Sequence, residues 1–172
     1  MKNAHRICFL ALAVICGLTI FTACGAKDPN AFITMKKMSD STKVIRLGMS
    51  QNQIFAQVVD GIYNVGMERG NSISLKYEDS TVQNCVAIIS YGNGFQTDAG
   101  LSYNNKLADV LPIYQKDPDI VIVSNEAAKV VLSKQINGVN YAMAVRAYDN
   151  GDIKDITIYN ADLYTDNDAD YQ

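Results

Sequence analysis

The stretch that decides the fold is Lys129 to Tyr159, KVVLSKQINGVNYAMAVRAYDNGDIKDITIY. Lys129–Ile136, Val139–Tyr148 and Ile153–Tyr159 are strand-like, rich in β-branched and aromatic residues. Asn137-Gly138 and Asn150-Gly151 separate them. Asn-Gly suits a tight hairpin because both residues tolerate positive φ. Two such turns at this spacing predict an antiparallel meander. Side chains alternate along a strand, so Tyr141, Met143 and Val145 share one face and Arg146 and Tyr148 the other.

Working outward, Ile120–Val123 is a short apolar run after an Asp117-Pro118-Asp119 turn. Glu126–Lys134 has helical propensity, but the hairpin turn that follows directly favours strand. Ser72–Tyr77 places Ile73, Leu75 and Tyr77 on one strand face, and Cys85–Tyr91 is a further strand-like run before an Asn93-Gly94 turn. Ser50-Gln51-Asn52-Gln53 has the form of a capping box, with Met49 and Ile54 at the staple positions. Ile54, Phe55, Val58, Val59 and Ile62 then give a helical stripe that Asp60-Gly61 can end. Leu107, Val110, Leu111 and Tyr114 predict a second helix from Ser102, with Pro112 kinking or stopping it near Leu111.

The order cap, helix, strands, turn occurs twice. Gly48-Met49-Ser50-x-Asn52 matches Gly100-Leu101-Ser102-x-Asn104, and Val86–Gly94 matches Met143–Gly151 around a Tyr-x-Asn-Gly turn. This predicts an α+β fold of two tandem repeats, residues 43–95 and 96–161, each with helices packed on one face of an antiparallel sheet. If helices cover one face only, the other carries Arg146, Tyr148, Asp155 and Tyr159. An open face of that composition is a candidate binding surface for another protein.

The N-terminus reads as an address. Lys2 and Arg6 precede an uncharged run, Ile7–Phe21, followed by Thr22, Ala23, Cys24 and Gly25. That layout describes a secretory signal over residues 1–23. An uncut anchor is the alternative, with an apolar run shorter than the roughly 20 residues a span needs. Residues 24–42 read as a polar tether whose Lys27, Lys36 and Lys37 could lie near anionic headgroups. Residues 162–172 read as an acidic frayed tail. Asp166-Asn-Asp168-Ala-Asp170 begins like a calcium loop, but it lacks Gly at the sixth place and ends before a twelfth.

Absences narrow the chemistry. His5 is the only His and precedes Cys24, so a chain cut there has no His for a Ser-His-Asp or Cys-His mechanism. Cys85 is then the one unlipidated Cys, which excludes an intramolecular disulfide and an all-Cys zinc site. No Ser-x-x-Lys, G-x-G-x-x-G or phosphate-loop motif occurs. A formal net charge of −3 argues against nucleic acid as a partner. The expectation is a non-catalytic binding module with no metal or cofactor. The alternative is a carboxylate-based hydrolase or a carrier of a small ligand.

Phe21-Thr22-Ala23-Cys24 resembles the lipobox of bacterial lipoproteins, with Phe21 where that family usually has Leu. The resemblance implies diacylglyceryl transfer to the Cys24 thiol, cleavage before Cys24 and acylation of its amine. The protein would then sit on a membrane outside the cytoplasm, facing the periplasm or the exterior. The lipobox, the Gly-Met-Ser-x-x-x-Ile cap and the meander together resemble the small lipoprotein domain of the outer-membrane barrel-assembly machinery. Two such units in tandem resemble the β-lactamase inhibitory proteins. Those proteins' disulfides have no counterpart here, and the superfamily implies protein binding without catalysis.

Overall fold

The computed structural model describes residues 28–58, 73–78 and 83–166. The meander forms as its residues dictate. β7 (Lys129–Ile136), β8 (Val139–Ala147) and β9 (Ile153–Asn160) pair antiparallel in sequence. Asn137 and Gly138 take φ of 52° and 83° at the first turn, the positive values a two-residue hairpin needs. The second hairpin is looser. Gly151 alone has positive φ, its N–H donates to the Tyr148 carbonyl, and the register shifts by a bulge after Arg146.

Among the described residues six strands form the larger sheet, in the order β3-β4-β9-β8-β7-β6. β3 (Ile73–Tyr77) and β4 (Cys85–Ser90) add on the β9 side, and β6 (Val121–Asn125) adds on the β7 side. The smaller sheet has the order β2-β1-β5, from β1 (Thr34–Lys37), β2 (Asp40–Arg46) and β5 (Phe95–Thr97). Among the described residues helix is scarce: α1 (Gln51–Val58), α2 (Val110–Tyr114) and short 3-10 turns at Pro29–Ile33 and Leu107–Asp109.

The core explains why these pieces meet. Leu132, Met143, Ile158 and Ile88 stand opposite one another in successive strands, with Val130, Val145 and Ile156 in the next row. They form one buried cluster with Phe32, Ile33 and Met35 from the start of the chain, Ile45 of β2 and Phe95 of β5. Sheet therefore packs on sheet, and the apolar surface removed from water is what drives the layering.

The expected α+β architecture of two tandem helix-on-sheet repeats is corrected by this arrangement. The fold is mostly β, 50% strand against 17% helix among the described residues. β4 from residues 43–95 hydrogen-bonds to β9 from residues 96–161, and β1, which precedes both, pairs with β5. The supposed boundary near residue 95 falls at the first residue of β5. The physical reason lies partly at Ser102. Its N–H and Oγ both donate to Asn105 Oδ1, closing a turn, and Lys106 remains extended. Helix starts only at Leu107, too short to cover a sheet face. Pro112 does not end it, because in the first turn of α2 a missing N–H costs no intrahelical bond.

The two Gly-x-Ser motifs are nonetheless local equivalents. Gly48 and Gly100 have φ of 83° and 91°, and the Ser50 N–H donates to Gln53 Oε1 as the Ser102 N–H does to Asn105 Oδ1. What recurs is a capping device. The Ser50 capping box opens α1 as read, with Ile54 buried and Met49 against the core. Val59, Ile62 and the Asp60-Gly61 stop lie outside the described residues.

Several further readings are revised by position. Phe32, Ile33 and Met35, in the stretch expected to be a tether, are buried. Tyr91–Gly94 does not close a hairpin with β4, because β5 leaves for the other sheet. The tail is held as far as Asp166. The Asn140 backbone and amide N–H groups donate to the Asp162 carboxylate at 3.1 and 3.0 Å, and the Tyr164 ring meets Tyr159 edge-on at 5.6 Å. Asp168 and Asp170 lie outside the described residues.

Met143 is fully buried at the middle of the inner face. Met143→Ala should cost about 2–5 kcal/mol of unfolding free energy by chemical denaturation, the range for truncating a buried side chain. Lys154→Ala, at an exposed position of β9, should stay within about 0.5 kcal/mol.

Candidate functional site

Three places hold grouped chemistry. The first is the outer face of the large sheet, opposite the core. Arg146 and Asp155 are direct cross-strand partners there, and Arg146 Nη1 donates to Asp155 Oδ1 at 2.8 Å. Arg146 Nη2 also donates to Asp166 Oδ1, while Lys129 Nζ lies 3.2 Å from Asp166 Oδ2. Asp155 is 0% exposed and Arg146 8%. These two groups meet each other and the tail, so neither offers its charge to solvent. Burial pushes the Asp155 carboxyl above its ordinary range, opposed by Arg146, and its Oδ2 has no hydrogen bond. Tyr159 is half-buried under Tyr164. Tyr148 is exposed but sits past the bulge, in the turn after β8. The four residues expected to share one open face are thus divided between a buried ion pair, a covered ring and an exposed turn.

The centre of that face is closed as well: Ala87, Ile89, Ala144 and Thr157 are all fully buried. Alternation sets Arg146 on the face opposite Met143 in β8, but parity does not reveal what covers a face.

The second place is a cleft of about 240 Å³ where the first 3-10 turn, the loop after β5, α2 and β7 converge. Phe32, Ile113, Tyr114 and Ile120 line its apolar part. Phe32 meets Tyr114 edge-on at 6.2 Å, and the Tyr114 hydroxyl donates to Thr97 Oγ1 at 2.8 Å. Burial raises the Tyr114 pKa further from physiological pH. Each carboxylate at the rim faces a cation: Asp28 has Arg46 at 3.4 Å, Asp98 has Lys36, and Asp117 has Lys134 at 2.9 Å. Lys134 and Asp117 are 11% and 12% exposed, so this ion pair braces the turn after α2 against β7.

The third place is β6. It is the terminal strand of the large sheet, and no described strand pairs with its outer edge. Val121, Ile122 and Val123 are 60%, 50% and 61% exposed. No residue of β6 is charged, although exposed edges commonly carry charge or Pro that discourages pairing. Its one protective feature is a bulge between Ile122 and Ser124. The sequence showed this run as apolar, but a continuous apolar run reads as a buried strand. Its exposure follows from its place at the end of the sheet, which alternation does not encode.

Cys85 is 2% exposed, and its Sγ donates to the Ala87 carbonyl at 3.4 Å. Burial pushes the thiol up to about 12. The nearby Tyr77 hydroxyl is also pushed up to about 12, first by its own burial and then by Cys85. Among the described residues no group of His, Cys, Asp or Glu is placed to hold a metal ion. No described helix is long and apolar enough to cross a membrane. Cys24 lies outside the described residues.

Comparison with known protein families, curated proteins and solved structures gives no match.

Two outcomes follow. Cys85 should resist iodoacetamide at pH 8 in the folded chain and alkylate readily in denaturant, read by mass spectrometry of its peptide; equal labelling in both states would contradict the buried thiol. For Asp155, a folded pKa above the unfolded value near 3.8 means the folded state binds the extra proton. That contribution to stability is present below this range and is lost as pH rises through the folded pKa. Asp155→Asn removes the effect, so its stability relative to the native chain should rise with pH from about 3.8 upward; a difference that falls with pH would contradict this.

Proposed function

We propose that this chain is a lipid-anchored lipoprotein of the cell envelope that binds another protein without catalysing a reaction, and that β6 is its binding edge. The single observation behind this is three consecutive large apolar side chains, each at least half exposed, on an edge strand without charge. Exposing them forgoes the burial that stabilises the rest of the sheet, about 25 cal/mol per Å² of apolar surface. Contiguous exposed apolar surface of this kind is characteristic of contact sites.

The membrane part of the reading rests on Phe21-Thr22-Ala23-Cys24 following an uncharged run. Acyl chains on Cys24 would hold the chain firmly, at about 0.8 kcal/mol per buried methylene. The small-ligand alternative has the cleft in its favour, yet about 240 Å³ is below the roughly 300–1,000 Å³ of typical ligand pockets.

Both parts can be tested in the cells that make the protein. Cys24→Ser should move the chain from the membrane to the soluble fraction and block processing at that bond; unchanged processing and sedimentation would contradict lipidation. A photo-crosslinking residue at Val123 should give a discrete adduct, and one at exposed Lys154 should not. Ile122→Asp should remove the Val123 adduct while leaving stability within about 0.5 kcal/mol. Equal adducts at both positions would contradict a binding role for β6.

A further inference from the structure

We infer that β6 takes its partner as an added strand, an extended peptide segment with apolar side chains at alternate positions and a basic residue at each end. This rests on the binding role proposed for β6. The outer edge of β6 supplies backbone donors and acceptors that no described strand pairs, and only another extended backbone satisfies them in series. Val121, Ile122 and Val123 supply apolar surface that such a segment would cover from either side.

Charge at the two ends of the strand selects the partner. Asp119 lies two residues before β6, with its side chain 75% exposed. Its nearest cation, Lys134, is 4.0 Å away and is held more closely by Asp117 at 2.9 Å. Glu126 follows β6 directly, is exposed, and accepts a bond from Ser124 Oγ at 2.7 Å. Two exposed carboxylates therefore bracket an uncharged edge. Lys116 is exposed one turn further from the strand.

A second copy fits less well. Antiparallel pairing of two β6 strands about Val123 sets Glu126 of each beside Ile120 of the other, next to Asp119. Both ends would then juxtapose like charges, which is destabilising across strands. A segment with Lys or Arg at its ends would meet an opposite charge at each.

The test uses two synthetic peptides, Lys-Val-Thr-Val-Thr-Val-Thr-Lys and the same peptide with Glu at both ends. Binding to the full chain in detergent is followed by fluorescence anisotropy. The Lys-ended peptide should bind about three- to ten-fold more tightly, the range expected for two exposed ion pairs, and added salt should shrink the ratio. The double variant Asp119→Lys, Glu126→Lys should reverse the preference, and Val123→Lys should weaken both peptides. Equal binding of the two peptides, or a preference that survives the double variant, would overturn the charge selection. If neither peptide binds while Val123 still crosslinks to a partner, strand addition is overturned and the binding role stands. If the crosslink is also missing, the binding role itself fails. Sedimentation showing self-association that Val123→Lys abolishes would overturn the inference in favour of a second copy.

Discussion

The pairing of β4 with β9 is the constraint on which the rest of the molecule depends. Ile88 opposite Ile158 and Ser90 opposite Ile156 join the first half of the chain to the meander of the second. Without that seam β3 and β4 would be an isolated hairpin, marginal at best in water. With it, Ile88 completes a row that runs through Ile158 and Met143 to Leu132, and the smaller sheet has a continuous apolar surface to lie on. The pairing also spans a long stretch of sequence, so its loop-closure entropy must be offset by burial on both faces. Both faces of β4 are buried along its whole length.

The same seam sorts the polar groups. The centre of the large sheet is covered on its outer side as well, and an Arg146–Asp155 pair placed there by register had to be neutralised internally. Asp166 of the tail adds a second carboxylate to Arg146 and meets Lys129. Burying such a group costs more than its pairing returns unless its hydrogen bonds are met, and Asp155 Oδ2 is left without one. The raised Asp155 pKa comes from that imbalance. It marks a structural junction between sheet and tail.

Local chemistry was legible in the sequence where one residue type settles one conformation. Asn137-Gly138 dictated the hairpin, Ser50 and Gln53 the start of α1, and the alternation in β8 the inward set of Met143 and Val145. The global arrangement was not, because the repeated Gly-x-Ser cap is the same device placed before a helix in one case and before a closed turn in the other. The side chain that accepts from Ser differs, Gln at the third helical position against Asn105 in the turn, and only the first prolongs a helix. Nor does any local signal tell β4 to choose β9 over β5. For the candidate site, Arg146, Tyr148, Asp155 and Tyr159 were expected on one open face, yet cover and bulge decide exposure and divide them. The edge at β6 was visible as apolar residues, and its openness only as geometry.

The proposed role uses what the fold leaves over. With the meander's Lys129–Ile136 strand paired on one side by β8, β6 closes the other side and has nothing described beyond it. The sheet must exist as one body for that edge to be rigid enough to bind. The most direct measurement is native-state hydrogen exchange of the Ile88, Met143 and Ile158 amides against denaturant. A single sheet predicts that all three merge into one global opening with the same free energy. Ile88 exchanging through a separate opening, while Met143 and Ile158 stay protected, would show that β4 is not an integral strand and would contradict the account.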